Sequence, residues 1–333
     1  MRIVTKILHE IEKDSSGKHA IQMLLKCSDE DFNELLASAW KIRQENFDPI
    51  LDCFYPGELF PAISITGSQC ALQCKHCNKH YLSLMISAET PEKLWEECKK
   101  LEEGGKIGCL ISGGYNEKAM LPFDEFIPIL KQIKEKTNLI LNVHTGLVNE
   151  EIALGLGEAG VDIVSFDVVG DIKTIQGMYG IAKSPEDYLQ SLKFLRSSKI
   201  RYIVPHICIG LNEGNLAGEI RALKLIEAIK PDIIVFLALI PTENTPVQNL
   251  SPPAPKEIAK IIAIARILFP TVPISLGCMR PGKLIRNQID FLAIQAGINR
   301  IEIPTQKAIQ SAIERGLQIQ KHNSCCATSL ELL

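Results

Sequence analysis

Three cysteines that lie close together in the sequence have the spacing of iron–sulfur cluster ligands. Cys70, Cys74 and Cys77 follow the apolar run Phe60–Thr66 in the pattern C-x3-C-x2-C. Three closely spaced thiolates can bind three irons of a [4Fe–4S] cluster and leave the fourth iron without a protein ligand. Ferredoxins that only transfer electrons generally use four cysteines, so the triplet favours a cluster with one open iron.

A structural zinc site is the alternative explanation for the triplet. Such a site needs a fourth ligand, which His76 or His80 would have to supply. His76 lies between two of the cysteines in the chain and is poorly placed to reach the same ion. The spacing therefore favours the iron–sulfur cluster and leaves zinc as the alternative.

The composition is typical of one large α/β domain. The chain has 333 residues, of which 46% are hydrophobic, and a formal net charge of −3. No basic run indicates a nucleic-acid partner, and no apolar stretch is long enough to span a bilayer. Lys6 and Glu10 stand where a signal peptide would have its apolar core. We therefore expect a soluble, cytoplasmic protein without a nucleic-acid or membrane partner.

Eight short apolar runs with few charges have the pattern of parallel strands that are buried on both faces. They are Phe60–Thr66, Ile107–Ser112, Leu139–His144, Asp162–Asp167, Arg201–Ile209, Ile233–Ile240, Val272–Gly277 and Arg300–Ile303. Helical patterns separate them, and one of these, Pro185–Ser197, follows Ser184 as a predicted N-cap. Eight successive β then α units predict a (β/α)8 TIM-type barrel, complete or nearly so, with an open doubly wound sheet as the alternative.

The predicted barrel occupies residues 56–318. Residues 1–55 form an N-terminal helical extension, with Asp29–Glu45 as its helix, and residues 319–333 form a short C-terminal tail. The loops that follow the strands of such a barrel form its catalytic face. This organisation therefore places the cysteine triplet at the catalytic face.

The triplet, placed after the first barrel strand, resembles the motif of the radical S-adenosylmethionine (SAM) superfamily. The resemblance implies that Cys70, Cys74 and Cys77 are the catalytic cluster ligands and that the open iron chelates the amino and carboxylate groups of SAM. One electron from the cluster would then cleave SAM to methionine and a 5′-deoxyadenosyl radical, which abstracts hydrogen from an unactivated C–H bond. The family often has an aromatic residue before the third cysteine, where this chain has His76.

The resemblance also implies which residues meet SAM. The stretch from Ile111 to Tyr115 is similar to the family's Gly-Gly-Glu motif, with Tyr115 in place of the acid, and glycines allow close backbone approach. Asp167 stands where a carboxylate would accept hydrogen bonds from the ribose hydroxyls. The expected cofactor-binding residues are Ser112, Gly113, Gly114, His144, Asp167, His206 and Gly210. For the two histidines, a purely structural role is the alternative.

A second group of cysteines is predicted to bind an auxiliary iron–sulfur cluster. The chain has 11 cysteines, and a reducing compartment makes a disulfide framework unexpected. The stretch from Ser275 to Gly277 resembles the part of biotin synthase in which an arginine ligates an auxiliary cluster, and Cys278 takes the place of that arginine. If the tail folds back over the barrel mouth, Cys325 and Cys326 would join Cys278. The alternative is a frayed tail with two incidental thiols.

From about residue 30 to the end, the pattern resembles the biotin synthase-like branch, and Cys278 with the Cys-Cys tail is most similar to the two-subunit, archaeal-type lipoyl synthase group. This resemblance implies sulfur insertion at unactivated C–H carbons of a protein-bound octanoyl chain. The implied partners are a second radical SAM subunit, a lipoyl carrier protein, and an electron donor such as ferredoxin or flavodoxin. The alternatives are a radical SAM mutase or other C–H functionalising enzyme that acts on a free small molecule, and a non-catalytic iron–sulfur protein.

Overall fold

Eleven parallel strands form one curled sheet. The computed structural model describes residues 2–333, except for the side chains of Arg2 and Lys283. The strands are β1 Ile50–Phe54, β2 Ala62–Ser64, β3 Ile86–Ser87, β4 Gly108–Ser112, β5 Ile140–Thr145, β6 Ile163–Asp167, β7 Tyr202–Ile209, β8 Ile234–Ala238, β9 Ile274–Leu276, β10 Arg300–Glu302 and β11 Gln318–His322.

Twelve helices accompany the strands in the described chain. They are α1 Arg2–Lys13, α2 Lys18–Leu25, α3 Asp29–Asn46, α4 Pro91–Glu103, α5 Phe123–Lys136, α6 Glu150–Glu158, α7 Ile172–Thr174, α8 Pro185–Ser197, α9 Glu219–Glu227, α10 Pro255–Leu268, α11 Lys283–Gln295 and α12 Gln306–Glu314. Across residues 2–333, no helix is both long enough and apolar enough to cross a bilayer.

The strand order confirms the predicted TIM-type architecture. It runs β11-β1-β10-β9-β8-β7-β6-β5-β4-β2-β3, and each pair of neighbours is parallel. Each of the eight predicted runs coincides with one strand to within a few residues, from β2 and then β4 to β10 in chain order, and a helix follows each of them. The sheet is a curled, partial barrel whose two edges are β3 and β11.

The sheet extends beyond the predicted barrel at both ends of the chain. Strand β1 lies within the predicted helical extension, and β11 starts at the predicted boundary of the tail. Neither has the long apolar run that identified the other strands. In β1, Asp52 interrupts the run and lies 2.7 Å from His322 Nε2 of β11. The edge strand β11 is largely exposed, so its polar residues follow no buried pattern.

The structure contains the predicted helix of the N-terminal extension and the predicted helix Pro185–Ser197. Helix α3 covers the predicted Asp29–Glu45 and begins with a capping box in which Asp31 N–H donates to Ser28 Oγ at 3.1 Å. Helix α8 has the predicted bounds, and Ser184 N–H donates to the Asp187 carboxylate at 2.8 Å. Local capping chemistry therefore sets these two starts.

The C-terminal tail folds back into the interior of the curled sheet, and Cys325 and Cys326 line the same cavity as Cys278. Cys326 is buried in one cluster with Ile163 and Tyr202, which are the first residues of β6 and β7. The Tyr202 hydroxyl donates to the Glu331 carboxylate at 2.6 Å. The tail therefore leaves β11 at the carboxyl-terminal side of the sheet, passes Glu302 with Cys326, and ends beside Tyr202 at the amino-terminal ends of the strands.

A buried ion pair holds the loop after β9. Arg280 Nε lies 2.7 Å from Asp290 Oδ1, and both side chains are fully buried. The Arg280 guanidinium also donates to the Glu302 carbonyl at 2.9 Å. Removing one partner of such a pair leaves an uncompensated buried charge.

We predict that Asp290→Ala lowers the free energy of unfolding by about 3–5 kcal/mol. Chemical denaturation measures the difference from the parent chain. The matched control is Glu45→Ala, which breaks the Lys41–Glu45 pair, whose side chains are 75% and 57% exposed. That change is expected to cost less than about 1 kcal/mol. Equal costs for the two variants would contradict the assignment of Arg280 and Asp290 as a stabilising buried pair.

Candidate functional site

A cavity of about 450 Å³ lies inside the curl and brings most of the predicted site residues together. Its volume is that of a small-molecule binding site. Adjacent residues of a strand point to opposite faces, so residues two apart share the inner face. The predicted residues that line the cavity are Cys70, Cys74, Cys77, Ser112, Gly113, Gly114, His144, Asp167, His206, Cys278, Cys325 and Cys326.

The cysteine triplet lies in the loop that follows β2. The Tyr115 amide donates to Cys70 Sγ at 3.3 Å, and the Lys75 amide donates to the Met178 carbonyl at 2.8 Å. These bonds tie the loop to the segments that follow β4 and β6. Backbone donors directed at sulfur stabilise a thiolate, as a cluster ligand requires.

Burial dominates the acidity of the triplet. It raises the pKa of Cys74 to about 12. Burial also raises the pKa of Cys77, although the backbone amides of Tyr81 and Lys79 hydrogen-bond to its sulfur and oppose the shift. Thiols in this state lose their protons when a metal cation binds, because the cation compensates the buried charge.

The width of the triplet distinguishes between the two kinds of metal site. In the described part of the chain, Glu302, Cys325 and Cys326 form a group whose ligand atoms all lie within 4.8 Å of one another. The sulfur atoms of the triplet do not meet this limit. Thiolates on one tetrahedral zinc lie about 3.8 Å apart. The triplet is therefore wider than a single ion requires, and it suits a cluster that takes one thiolate on each of three irons.

Within the described residues, His76 and the triplet cysteines do not form a group whose ligand atoms all lie within 4.8 Å of one another. The His76 ring packs edge-on against Tyr179, with the ring centroids 5.1 Å apart. Burial lowers the pKa of His76 to about 4, so the ring is neutral near pH 7. His80, the other predicted zinc ligand, is exposed and packs edge-on against Tyr81.

Gly114 seats the cysteine loop against the end of β4. A Cβ at this position would lie 1.9 Å from the Gln69 carbonyl oxygen and 2.5 Å from Cys70 Cβ. The Gly114 amide donates to Thr66 Oγ1 at 2.6 Å. The sequence predicted that a bound cofactor approaches the backbone of this glycine closely. At Gly114, the cysteine loop itself makes the close approach.

His144, Asp167 and His206 form a polar cluster on neighbouring strands β5, β6 and β7. His144 Nε2 lies 3.5 Å from Asp167 Oδ1, and the His144 and His206 rings stack with centroids 5.2 Å apart. Burial lowers the pKa of His144, but the Asp167 carboxylate outweighs burial and the net pKa is raised. Burial and the neighbouring His144 lower the pKa of His206 to about 4. The cluster therefore combines a chargeable imidazole with a neutral one.

Ser112 and Gly210 differ in their relation to the cavity. Ser112 Oγ donates to the His144 carbonyl at 3.0 Å and so links β4 to β5 at the cavity wall. Gly210 is not among the residues that line the cavity. Its amide donates to Glu219 Oε1 at 2.9 Å, and Pro253 fills the space where a Cβ would lie. Its φ of 83° explains why glycine occupies this position.

The second cysteine group lies on the same cavity. Cys278 follows β9 and is exposed on the wall, whereas Cys325 and Cys326 come from the tail. A hydrogen bond with Cys325 and burial raise the pKa of the Cys326 thiol. Asn142 of β5 is fully buried and lies 3.9 Å from Cys325 Sγ through its Nδ2.

Glu302 and Asn142 are the site residues that the sequence patterns missed. Both line the cavity from within predicted strands, Glu302 at the carboxyl end of β10. A buried acid at the end of a barrel strand is a functional signal in such folds. Its relevance depends on the approach of the tail, which no local pattern predicts.

Three cysteines in the loop after β2 of a partial (β/α)8 barrel define the class of protein, which is that of barrel enzymes that bind an iron–sulfur cluster. Residues 64–226 match the family model of the radical SAM superfamily. Residues 236–327 match the Biotin and Thiamin Synthesis associated domain. The chain belongs to the radical SAM superfamily, in its biotin synthase-like branch, and membership implies a [4Fe–4S] cluster and SAM.

Similar curated proteins are biotin synthases. The chain is 24% identical over 279 residues to the biotin synthase of Vesicomyosocius okutanii. The alignment covers 81% of this chain and 82% of that protein. It is 26% identical over 284 residues to the biotin synthase of Ruthia magnifica, with the same two coverages of 81% and 82%. These similarities extend over both matched domains.

Two solved structures share the fold. Methylornithine synthase superposes with a TM-score of 0.60 at 19% identity, over 96% of this chain and 97% of that one. HydG, a maturase of the [FeFe]-hydrogenase, superposes with a TM-score of 0.68 at 18% identity, over 98% of this chain and 76% of that one. At this level of identity, both relate to the chain by fold.

We predict that Gly114→Ala removes most of the iron that the triplet retains after anaerobic reconstitution, because the new Cβ displaces the Cys70 loop. Iron analysis and the visible absorbance of the cluster measure the loss. Gly177→Ala is the matched control, since nothing lies within 4 Å of a Cβ at that position. Equal iron contents in the two variants would show that Gly114 does not seat the loop.

We predict that His144 titrates above its ordinary pKa of 6.5 and His206 near 4. The folded pKa of His144 is raised, so the attraction to Asp167 is present at low pH and is lost as pH rises through that pKa. NMR titration of the histidine rings in the metal-free chain measures both values. In Asp167→Asn only burial remains, and the His144 midpoint should fall below 6.5. An unchanged midpoint would contradict the pairing.

Proposed function

We propose that this radical SAM enzyme inserts sulfur at unactivated C–H carbons of a protein-bound octanoyl chain, as a lipoyl synthase subunit. The observation that carries the proposal is that two separate cysteine groups line the same cavity. One group suits the generation of a radical, and the other suits a sulfur source. A substrate between them would meet both.

The first group is assigned to the SAM-cleaving cluster. Cys70, Cys74 and Cys77 are spaced too widely for one ion, and backbone amides donate to Cys70 and Cys77. A [4Fe–4S] cluster bound there supplies the electron that cleaves SAM to the 5′-deoxyadenosyl radical. The protein's part is to hold the cluster, orient SAM and keep water away.

The cavity wall next to the triplet offers the polar contacts that SAM needs. Asp167 lies at the carboxyl end of β6, where its carboxylate can accept hydrogen bonds from ribose hydroxyls. His206 Nδ1 lies 2.9 Å from the Val204 carbonyl, so the neutral ring donates through Nδ1 and keeps Nε2 as an acceptor. Ser112 and Gly113 provide the wall of β4 on the side of the cysteine loop.

The second group is assigned to an auxiliary iron–sulfur cluster that supplies the inserted sulfur. Cys278 approaches from the loop after β9, and Cys325 and Cys326 approach from the tail. The tail is held in place because Tyr202 donates to Glu331 at 2.6 Å. Two cysteines that are fixed in this way differ from the incidental thiols of a frayed end.

The apolar part of the cavity supports an alkyl substrate. Leu82, Met85 and Leu237 line it, and Leu84, which is 74% exposed, lies where the cavity opens. An octanoyl chain on a flexible lysine could enter from this side while its carrier domain remains outside. A second radical SAM subunit and a ferredoxin- or flavodoxin-type electron donor belong to the same proposal.

The decisive experiment is anaerobic turnover of the reconstituted chain with SAM, dithionite and an octanoyl-lysyl carrier domain. We expect 5′-deoxyadenosine together with a carrier whose mass shows sulfur in place of hydrogen. Cys70→Ala should abolish both products. The combined Cys278→Ala/Cys325→Ala/Cys326→Ala variant should still form 5′-deoxyadenosine but no sulfur-containing carrier.

Two results would overturn the proposal. Sulfur insertion that persists at the parent rate in the second variant would exclude the auxiliary cluster as the source. Formation of 5′-deoxyadenosine without sulfur insertion, in the presence of the second subunit, would exclude the octanoyl substrate. Parallel reactions with free small molecules then test the mutase alternative.

A further inference from the structure

A buried carboxylate stands among the cysteines of the second group. Glu302 is 4% exposed at the end of β10, and its side chain lies within 4.8 Å of the thiols of both Cys325 and Cys326. The Cys326 amide donates to Glu302 Oε2 at 3.2 Å. Three groups that can each carry a negative charge therefore share one small, buried space.

No ion pair between Glu302 and a basic side chain occurs in the part of the chain that the structure describes. The neighbouring Arg280 is paired with Asp290, and its guanidinium meets only the backbone carbonyl of Glu302, at 2.9 Å. Arg300 stacks on Phe54 and donates to the Thr328 carbonyl. The Arg286 guanidinium is within electrostatic reach of Glu302 but donates to the Ile303 carbonyl at 3.0 Å. A buried carboxylate without a direct ion pair is costly, and the cost rises when acidic thiols lie beside it.

Further polar groups near this space also lack a protein partner. Ser275 Oγ is fully buried without a hydrogen-bond partner, and so is Ser324 Oγ, next to Cys325 in the chain. Ser275 precedes Gly277 by two residues on β9, and Gly277 lines the cavity, so Ser275 shares that inner face. Unpaired donors beside converging anionic groups fit a site built for a metal centre and its associated anions.

We propose that Glu302 is an oxygen ligand of the second metal site, beside the cysteines Cys325 and Cys326. The inference rests on the auxiliary cluster of the proposed function and adds a ligand to it. The carboxylate and the thiols of Cys325 and Cys326 lie within 4.8 Å of one another, so Glu302 is placed to add an oxygen ligand to a cluster bound there. The Cys278 thiol also hydrogen-bonds to the Glu302 side chain, so the carboxylate lies next to all three cysteines of the second group.

The test is an anaerobic Co²⁺ titration of the full-length, metal-free chain in a Cys70→Ala/Cys74→Ala/Cys77→Ala background, which removes the first site. We expect a thiolate-to-cobalt absorption band that saturates on binding at the second site. Glu302→Gln keeps the shape of the side chain but is a poor ligand, and it should weaken Co²⁺ binding at least about 10-fold. Glu302→Cys should retain binding and strengthen the absorption band by adding a thiolate.

Glu243→Gln is the matched control, because Glu243 is exposed in the loop after β8 and should leave binding unchanged. Circular dichroism checks that the variants fold, and Glu302→Cys carries the test if Glu302→Gln does not. Parent-like Co²⁺ binding in Glu302→Gln, or an unchanged band in Glu302→Cys, would overturn the role of Glu302. If Cys325→Ala/Cys326→Ala also binds Co²⁺ like the parent, then the second metal site itself is refuted, and with it the sulfur source of the proposed function.

Discussion

The convergence of parallel strands on one cavity is the constraint on which the rest of this protein depends. Every strand pair is parallel, so all the strands end at the same side of the sheet, and the curl turns those ends toward a common interior. Side chains alternate between faces, which places His144, Asp167 and His206 side by side although they come from three separate strands. No single loop could hold such a set with the same rigidity.

Different contacts hold the two cysteine groups in place. The triplet lies in a loop that is held by a backbone hydrogen bond. This loop packs closely against Gly114, where a side chain would not fit. The second group is assembled from the loop after β9 and from a tail that folds back from β11 into the interior of the sheet. The first group can form from local structure, whereas the second exists only after the sheet has closed around the tail.

Charge also differs between the two sides of the cavity. Near the triplet, Asp167 faces imidazoles, and the His144–Asp167 attraction keeps that carboxylate compensated. Near the tail, Glu302 faces thiols, and the arginines around it are engaged with Asp290 and with backbone carbonyls. A cationic metal centre at the tail would restore the balance that the protein's own side chains do not provide.

Local sequence patterns are sufficient to predict the class of fold and the cysteine triplet. Eight buried runs at regular intervals are enough to predict the barrel, because strands buried on both faces are continuously apolar. The cysteine triplet could be found because its three ligands lie within eight residues of one another, from Cys70 to Cys77. Both features are local, so they survive without knowledge of long-range contacts.

The extent of the sheet and the second cysteine group depend on long-range contacts that no local pattern predicts. Strands β1 and β11 are short and partly polar, and they pair with each other across more than 260 residues, as in the Leu51–Ile319 register. The tail lies inside the barrel because Cys326 and Ala327 are buried against strand residues such as Ile163, and Tyr202 and Arg201 bind Glu331 at its end. Glu302 and Asn142 are site residues because the tail lies beside them. Their contacts with the tail join residues far apart in the chain and leave no periodic pattern in the sequence.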